Sequence, residues 1–135
     1  MNIPIQEIFK KTSINNIFLS IDIEGDEYKI LNQIIYESNR INLLVVEFHD
    51  IEQNINLFEK KIEILKEKFF ITHLHGNNCS YQLNSGLPNV LEMSFINKNK
   101  YHYLIIEENV LNFPIKDLDQ PNYPYTKDIK FKFKI

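Results

Sequence analysis

Carboxylate, imidazole and amide side chains follow three apolar stretches of the sequence. Asp22 and Glu24 follow the first stretch, Glu47 and His49 close the second, and His75 follows the third. Residues two apart in a strand point to the same face, so each pair presents its side chains together. Carboxylates and imidazoles exchange protons near neutral pH and also ligate metal ions. These positions are therefore the first candidates for a functional site.

The third stretch runs into His75-Gly76-Asn77-Asn78. His75, Asn77 and Asn78 carry the polar groups that would contact a polar substrate, so they are candidate substrate-binding residues together with Glu47. Asn-Asn after Gly is also ordinary turn chemistry, and both interpretations stay open for this pair.

Asp22 and His49 each allow two interpretations. Asp22 is a candidate base or divalent-metal ligand, because carboxylates at strand ends often serve function, but it is also placed to cap the following helix. The ordinary pKa of histidine makes His49 a candidate base or substrate contact, while an alternative role is to orient Glu47. Of Glu24 and Glu27, one is expected to face the site and the other to serve the helix terminus.

The segments that would position these residues alternate between strands and helices. Strand, helix, strand, helix, strand predicts an α/β fold with a parallel sheet, and a fourth strand without a preceding helix is expected to return antiparallel. Ligands of such sheets bind beyond the carboxyl ends of the strands, so the polar strand ends should meet at one rim. The predicted elements are helix 4–11, strand 17–23, helix 25–37, strand 43–48, a helix beginning after Asp50, and strands 69–74, 90–96 and 129–135.

Three local patterns refine these elements. The apolar, β-branched run 17–23 predicts a strand buried on both faces. Asp50 is the expected N-cap of the next helix, with Gln53 placed to complete a capping box. Lysines alternate with apolar residues over 129–135, which predicts a half-exposed edge strand.

Composition narrows the class of protein. The chain has 135 residues, the size of one domain, and a net charge of -3, which argues against general affinity for nucleic acid. Its single cysteine, Cys79, excludes an internal disulfide. No apolar stretch approaches the roughly 20 residues of a membrane span, and the first residues lack a secretory signal, so we expect a cytoplasmic protein. Only three glycines occur, and no two of them form a glycine-rich nucleotide loop.

Five sequence blocks resemble those of one known family and follow in its order. Ser20–Glu27, Ser-Ile-Asp-Ile-Glu-Gly-Asp-Glu, resembles the Asp-x-Glu-Gly-x-Glu motif of FkbM-type methyltransferases. The resemblance implies a Rossmann-like sheet of seven strands that binds S-adenosylmethionine and transfers its methyl group to a hydroxyl, often of a sugar or a polyketide-type metabolite. The other blocks are Val46–His49, His75–Asn78, Val90–Phe95 and Leu118–Asn122.

The blocks correspond to the second half of that family's domain, from its fourth strand onward. The resemblance therefore implies one partial methyltransferase domain over residues 1–135, with 110–135 as a C-terminal extension and edge strand. It implies Asp22, Glu24 and His49 as catalytic candidates, S-adenosylmethionine as cofactor, and a small-molecule or glycan hydroxyl as acceptor. It leaves metal use open, with Asp22 as the possible ligand.

Two other functions compete with methyl transfer. One is a degenerate remnant that folds and binds without catalysis, and the other is a metal-dependent hydrolase, suggested by Asp, Glu, His and Asn at one rim. A further expectation concerns partners: the first strand would lie at an edge of the sheet, so the chain is expected to form a homodimer through residues 17–23 or to be poorly soluble.

Overall fold

The computed structural model describes residues 4–104 and 109–134. Helices and strands alternate along most of this length, as the sequence predicts. None of the described helices is both long and apolar enough to cross a membrane. The elements are α1 Ile5–Lys11, β1 Ile17–Ile21, α2 Glu27–Tyr36, a 3-10 turn Ser38–Arg40, β2 Ile41–Phe48, α3 Ile51–Lys68, β3 Phe69–Gly76, β4 Leu91–Asn97, β5 Val110–Phe113 and β6 Phe131–Lys134.

The main sheet has four strands in the order β1-β2-β4-β3. β1 pairs with β2 in parallel, whereas β4 is antiparallel to both β2 and β3. The fold is therefore α/β with a mixed sheet: the antiparallel fourth strand is confirmed, but the parallel sheet predicted for the first three strands is limited to one pair, because β4 lies between β2 and β3. β1, β2 and β3 still run in the same direction, so their carboxyl ends lie at one edge of the sheet, called here the carboxyl edge.

One face of this sheet packs against α2 and α3. Alternate residues of each strand point toward the helices, and apolar residues at helical spacing on each helix pack against them. Phe48 at the end of β2 contacts both helices, with ring centroids 5.8 Å from Tyr28 and 5.2 Å from Phe58. The other buried residues of this layer include Leu31 and Ile34 of α2, Ile62 and Leu65 of α3, Leu44 and Val46 of β2, and Leu91, Met93 and Phe95 of β4.

The prediction that the first strand is buried on both faces is wrong. Only Ile21 of β1 is buried, and the side chain of Phe18 is 63% exposed. The reason is topological: β1 is an edge strand, and α2 and α3 pack on one face of the sheet only. A continuous apolar run therefore does not imply that a strand is buried on both faces.

The C-terminal segment, residues 109–134 as described, lies beside β3. Its strands β5 and β6 form a separate two-stranded antiparallel sheet in which Phe113 opposes and stacks on Phe131 at 5.2 Å. Phe113 also contacts the ring of His73 on β3 at 5.8 Å. The terminal strand predicted over 129–135 is confirmed for Phe131–Lys134, but its partner β5 was not predicted.

Asp50 occupies the N-cap position of α3, as predicted, but the capping box is wrong. Asp50 has a left-handed backbone with φ 49°, and its side chain makes no capping hydrogen bond. Asn89 takes this role from the loop before β4: its carbonyl accepts the Ile51 N–H at 3.1 Å and its side chain accepts the Glu52 N–H at 2.9 Å. A distant residue thus satisfies the helix terminus.

Candidate functional site

Five charged or titratable side chains meet at the carboxyl edge, where β1 and β2 end. The imidazole of His49 lies at their centre, with Nδ1 at 2.9 Å from Glu27 Oε1. Its Nε2 faces three further carboxylates, at 3.4 Å from Glu24, 3.8 Å from Asp22 and 3.9 Å from Glu47. We call Asp22, Glu24, Glu27, Glu47 and His49 the acid–histidine cluster. All three catalytic candidates belong to it.

Glu27 holds this arrangement in place from the first turn of α2. Its side chain is fully buried, and Oε1 accepts the backbone N–H of Ile23 at 3.2 Å and that of Gly25 at 3.1 Å. A carboxylate only accepts, so the His49 Nδ1 donates to it, and in the neutral ring the lone pair lies on Nε2. The turn that permits these bonds has left-handed backbone at Glu24, φ 55°, and at Gly25, φ 103°, a conformation that suits glycine.

The surroundings of His49 raise its pKa above the ordinary value. Burial works against the charged ring, but the hydrogen bond that His49 donates to Glu27 and the negative charges of Glu27, Glu47 and Glu24 outweigh it. The backbone carbonyl of His49 is also held in place, because it accepts a hydrogen bond from the Tyr28 hydroxyl at 2.9 Å. The pKa of Tyr28 is itself raised by burial, then by the charges of Glu27 and Asp50, so the hydroxyl stays a donor.

Asp22 and Glu24 form the open side of the cluster, with side chains 57% and 83% exposed. The alternative role considered for Asp22, capping of α2, is not seen: within the described parts of the chain, Asp22 makes no side-chain hydrogen bond to the helix terminus, and the N-cap residue is Asp26, whose side chain makes no capping bond either. Glu24 and Glu27 both belong to the cluster, and Glu27 also binds backbone N–H groups of the turn before α2. The division of roles predicted for them, one facing the site and one serving the helix, stays a prediction.

Asn77 connects the end of β3 to the cluster. Its side-chain N–H donates to Glu47 Oε1 at 2.7 Å, across the intervening strand β4. Its oxygen accepts the N–H of Cys79 at 2.9 Å, which closes the turn after β3. Asn77 therefore serves both the turn and the cluster, and Glu47, 16% exposed, is the carboxylate that it orients.

His75 and Asn78 lie at the same edge but face the C-terminal segment. His75 Nε2 lies 3.1 Å from Asp128 Oδ2. Asn78 is 9% exposed; it donates to the carbonyl of Tyr123 at 2.9 Å and accepts the N–H of Tyr123 at 2.8 Å, and it also donates to Thr126. Their predicted contact with substrate stays a prediction.

Two aspartates pair with histidines of β3, and no local pattern in the sequence predicts these pairs. Asp119 lies 2.7 Å from His73 Nε2 and also accepts the N–H of Ile115 at 2.6 Å. Asp119 and Asp128 follow their histidines by 46 and 53 residues, so no local pattern relates them. Glu27, in contrast, is the last acidic residue of the Asp-x-Glu-Gly-x-Glu block.

Three members of the cluster have a spacing that fits one cation. Ligand atoms of Asp22, Glu47 and His49 all lie within 4.8 Å of one another. Two carboxylates and an imidazole are a ligand set used by divalent metals. The role of Asp22 as a metal ligand stays a prediction, since exposed carboxylates also cluster without an ion.

Comparison with known proteins gives one match. The family model of the methyltransferase FkbM domain matches residues 1–83. These residues include α1 to β3 and all five members of the acid–histidine cluster. The resembling blocks 90–95 and 118–122 lie outside the matched residues. No curated protein and no solved structure matches the chain at a significant level. Because the matched residues make up more than half of the sequence, the chain belongs to the FkbM methyltransferase family.

Proposed function

We propose that this chain forms the acceptor side of an S-adenosylmethionine-dependent O-methyltransferase that acts on a hydroxyl of a sugar or another small metabolite. Membership of the FkbM family supports the reaction class. The observation that carries the proposal is the His49–Glu27 pair at 2.9 Å, because it presents an oriented imidazole at the open rim of the sheet.

Methyl transfer to a hydroxyl needs a group that takes the hydroxyl proton as the new bond forms. His49 has the geometry for this step, since Nδ1 donates to Glu27 and the lone pair of Nε2 faces the open rim. The proton of the acceptor hydroxyl moves to Nε2. The imidazolium that results is stabilised by Glu27 and by the nearby charges of Glu24 and Glu47, which is the same physical cause that raises the pKa of His49.

The remaining members of the cluster hold the acceptor. Asp22 and Glu24 are exposed carboxylates within 4 Å of His49 Nε2, so they accept hydrogen bonds from further hydroxyls of the acceptor. Glu47 does the same from the end of β2, and Asn77 orients it from the end of β3. A polyhydroxylated ligand matches this set of acceptors better than an apolar one, and a fixed acceptor converts the reaction into a step within one complex.

S-adenosylmethionine would supply the methyl group. The sequence contains no glycine-rich loop, and its three glycines are widely separated, so the residues present do not form a cradle for the cofactor. We therefore assign to this chain only the acceptor side, and we propose that β1 to β4 are the last four strands of the seven-stranded family sheet.

The test measures methyl transfer by the longest open reading frame that contains these residues. Labelled S-adenosylmethionine is incubated with a panel of monosaccharides and nucleotide sugars, and transfer is counted. His49→Gln should lower kcat by about 10²- to 10⁴-fold, the usual contribution of a positioned base. His102→Gln is the matched control, because His102 is exposed and its Nδ1 contacts only the Asn99 carbonyl.

Two results would contradict the proposal. Equal turnover by the wild type and His49→Gln would show that His49 is not the base. Absence of S-adenosylmethionine binding by calorimetry, together with a cooperative melt, would favour the non-catalytic remnant instead.

A further inference from the structure

The irregular segment 119–128 is bound to β3 at both of its ends. Asp119 lies 2.7 Å from His73 Nε2, and Asp128 lies 3.1 Å from His75 Nε2. Because the two histidines are two residues apart in β3, they point to the same face of the sheet, and the segment lies along that face. Its residues, all of them described by the structure, contain no helix or strand. The contacts with β3 therefore fix its course.

The middle of the segment is held by Asn78 in the turn after β3. The buried Asn78 side chain donates to the Tyr123 carbonyl at 2.9 Å and accepts the Tyr123 N–H at 2.8 Å. It also donates to the Thr126 hydroxyl at 2.9 Å. Pro121 and Pro124 fix the backbone φ on either side of Tyr123. The backbone at Tyr123 is therefore held in one conformation before any ligand binds.

Two tyrosine side chains of this segment are exposed. Tyr123 and Tyr125, which we call the tyrosine pair, are 47% and 85% exposed, and their ring centroids lie 5.4 Å apart. Their exposed neighbours in the sequence include the polar residues Gln120, Asn122, Thr126 and Lys127. Aromatic side chains supply a large contact area at low cost in conformational entropy, since only two torsions are fixed on binding. An exposed aromatic pair on a segment held at three points therefore has the properties of a binding surface.

The size of this surface favours a sugar over a protein. Two aromatic side chains bury at most about 500 Å², whereas a specific protein–protein interface buries more than about 1,000 Å². A pyranose ring matches the tyrosine pair, because its C–H groups stack on the negative face of an aromatic ring while its hydroxyls bind polar neighbours. A single sugar ring is therefore the ligand that this surface fits.

The tyrosine pair is anchored at the same carboxyl edge as the acid–histidine cluster. Asn78, which holds Tyr123, directly follows Asn77, and the Asn77 side chain donates to Glu47 at 2.7 Å. Only β4 separates β2 from β3, so the ends of these two strands lie about 10 Å apart. This distance exceeds the width of one sugar ring and suits two neighbouring rings of the same glycan.

We propose that the tyrosine pair is a second sugar subsite, which binds the ring next to the one that is methylated. The acceptor is then an oligosaccharide or a glycoside with at least two rings, and not a free monosaccharide. The inference rests on the proposed function, since it takes the hydroxyl at His49 to belong to a sugar. Stacking on the tyrosine pair does not require methyl transfer, so binding and turnover can be measured separately.

The first experiment is saturation-transfer NMR on the 135-residue chain with cellobiose, maltose and lactose as probes. We expect saturation of the ring C–H protons of at least one disaccharide. Tyr125→Ala should weaken its binding by about 2- to 10-fold, the range of one aromatic contact. Tyr125→Phe should bind like the wild type, because the ring remains. Tyr36→Ala is the matched control: Tyr36 is 80% exposed on α2, and its removal should leave the binding unchanged.

Sorbitol is the control ligand, because it carries hydroxyls without a ring that can stack. It should receive far less saturation than the disaccharide. Equal saturation of sorbitol and the disaccharides would overturn the proposal. So would the absence of binding by all three disaccharides, or equal binding by the wild type and Tyr125→Ala when both show the same circular dichroism spectrum.

The second experiment relates the subsite to methyl transfer by the longest open reading frame. Tyr125→Ala should raise the ratio of KM for the bound disaccharide to KM for its monosaccharide by about 2- to 10-fold. Disaccharide binding that depends on Tyr125, without any methyl transfer, would contradict the proposed function and support the subsite. Methyl transfer with the same KM ratio in the wild type and Tyr125→Ala would support the proposed function and overturn the subsite.

Discussion

Two regions at the carboxyl edge pair histidine with carboxylate, and they do so in opposite ways. At the ends of β1 and β2, His49 is bound on Nδ1 by the buried Glu27, and its Nε2 faces the exposed carboxylates of Asp22 and Glu24. At β3, the Nε2 of His73 and of His75 is each bound by a single aspartate of the C-terminal segment, Asp119 or Asp128.

The difference distinguishes a candidate reactive site from a structural tie, by which we mean a histidine–aspartate pair that attaches the C-terminal segment to β3. Asp119 and Asp128 are only 5% and 14% exposed, and they attach the C-terminal segment to β3. In the acid–histidine cluster the ring is bound on Nδ1 by the buried Glu27, and its Nε2 faces Asp22 and Glu24, which are 57% and 83% exposed. Histidine and carboxylate in proximity therefore do not identify a site by themselves; the exposure of the surrounding carboxylates distinguishes the two regions.

The largest effect in this comparison should come from breaking a structural tie. Asp119→Ala removes the partner of His73 and the acceptor of the Ile115 N–H, both in partly buried surroundings. Losing hydrogen bonds of a charged group at such a site costs about 1–3 kcal/mol, so the free energy of unfolding in urea should fall by that amount. The NMR titration of His49 should not change.

The control for this substitution is Asp117→Asn. Asp117 is exposed and has φ 66°, a conformation that asparagine tolerates well, so the free energy of unfolding should stay within about 0.5 kcal/mol of the wild type. Equal stability of Asp119→Ala and Asp117→Asn would show that the Asp119–His73 pair does not hold the C-terminal segment.

A second prediction addresses the cluster alone. Glu27→Gln keeps an oxygen for the backbone N–H groups but removes the negative charge beside His49, so the pKa of His49 should fall toward or below its ordinary value. The measurement is the pH titration of the His49 ring protons by NMR. Glu92→Gln is the control, because Glu92 is an exposed carboxylate that lies opposite Glu47 in the sheet, whereas the charges that raise the pKa of His49 are those of Glu27, Glu47 and Glu24. An unchanged His49 titration in Glu27→Gln would mean that Glu27 does not set this pKa.

Much of this edge could be predicted from the sequence, because strand direction follows from local patterns. Apolar runs separated by helical spacing place three strand ends at one side, and Asp22, Glu47 and His49 follow from the residues at those ends. The position of β4 between β2 and β3 could not be predicted in the same way, since strand order depends on packing between distant segments.

The structural ties could not be predicted from the sequence either. His75 and Asn78 have the residue types of a site, and only their contacts with Asp128 and Tyr123, more than 40 residues away, show that they hold the C-terminal segment. The exposure of Phe18 is a similar case, because an apolar run looks the same in a central strand and in an open edge strand. Residue type limits the chemistry, and long-range contacts decide its use.

The smallest predicted effect is a pH dependence of stability that arises in the cluster. The pKa of His49 in the folded chain lies above its ordinary value of 6.5, so the folded state binds the proton more tightly than the unfolded state. This contribution to stability is fully present below pH 6.5 and is lost as pH rises through the folded pKa. The difference in the free energy of unfolding between the wild type and His49→Gln should therefore stay constant below about pH 6.5 and shrink as the pH rises above it. His102→Gln should show no such trend, and a difference that grows with pH would mean that burial, not the surrounding carboxylates, dominates at His49.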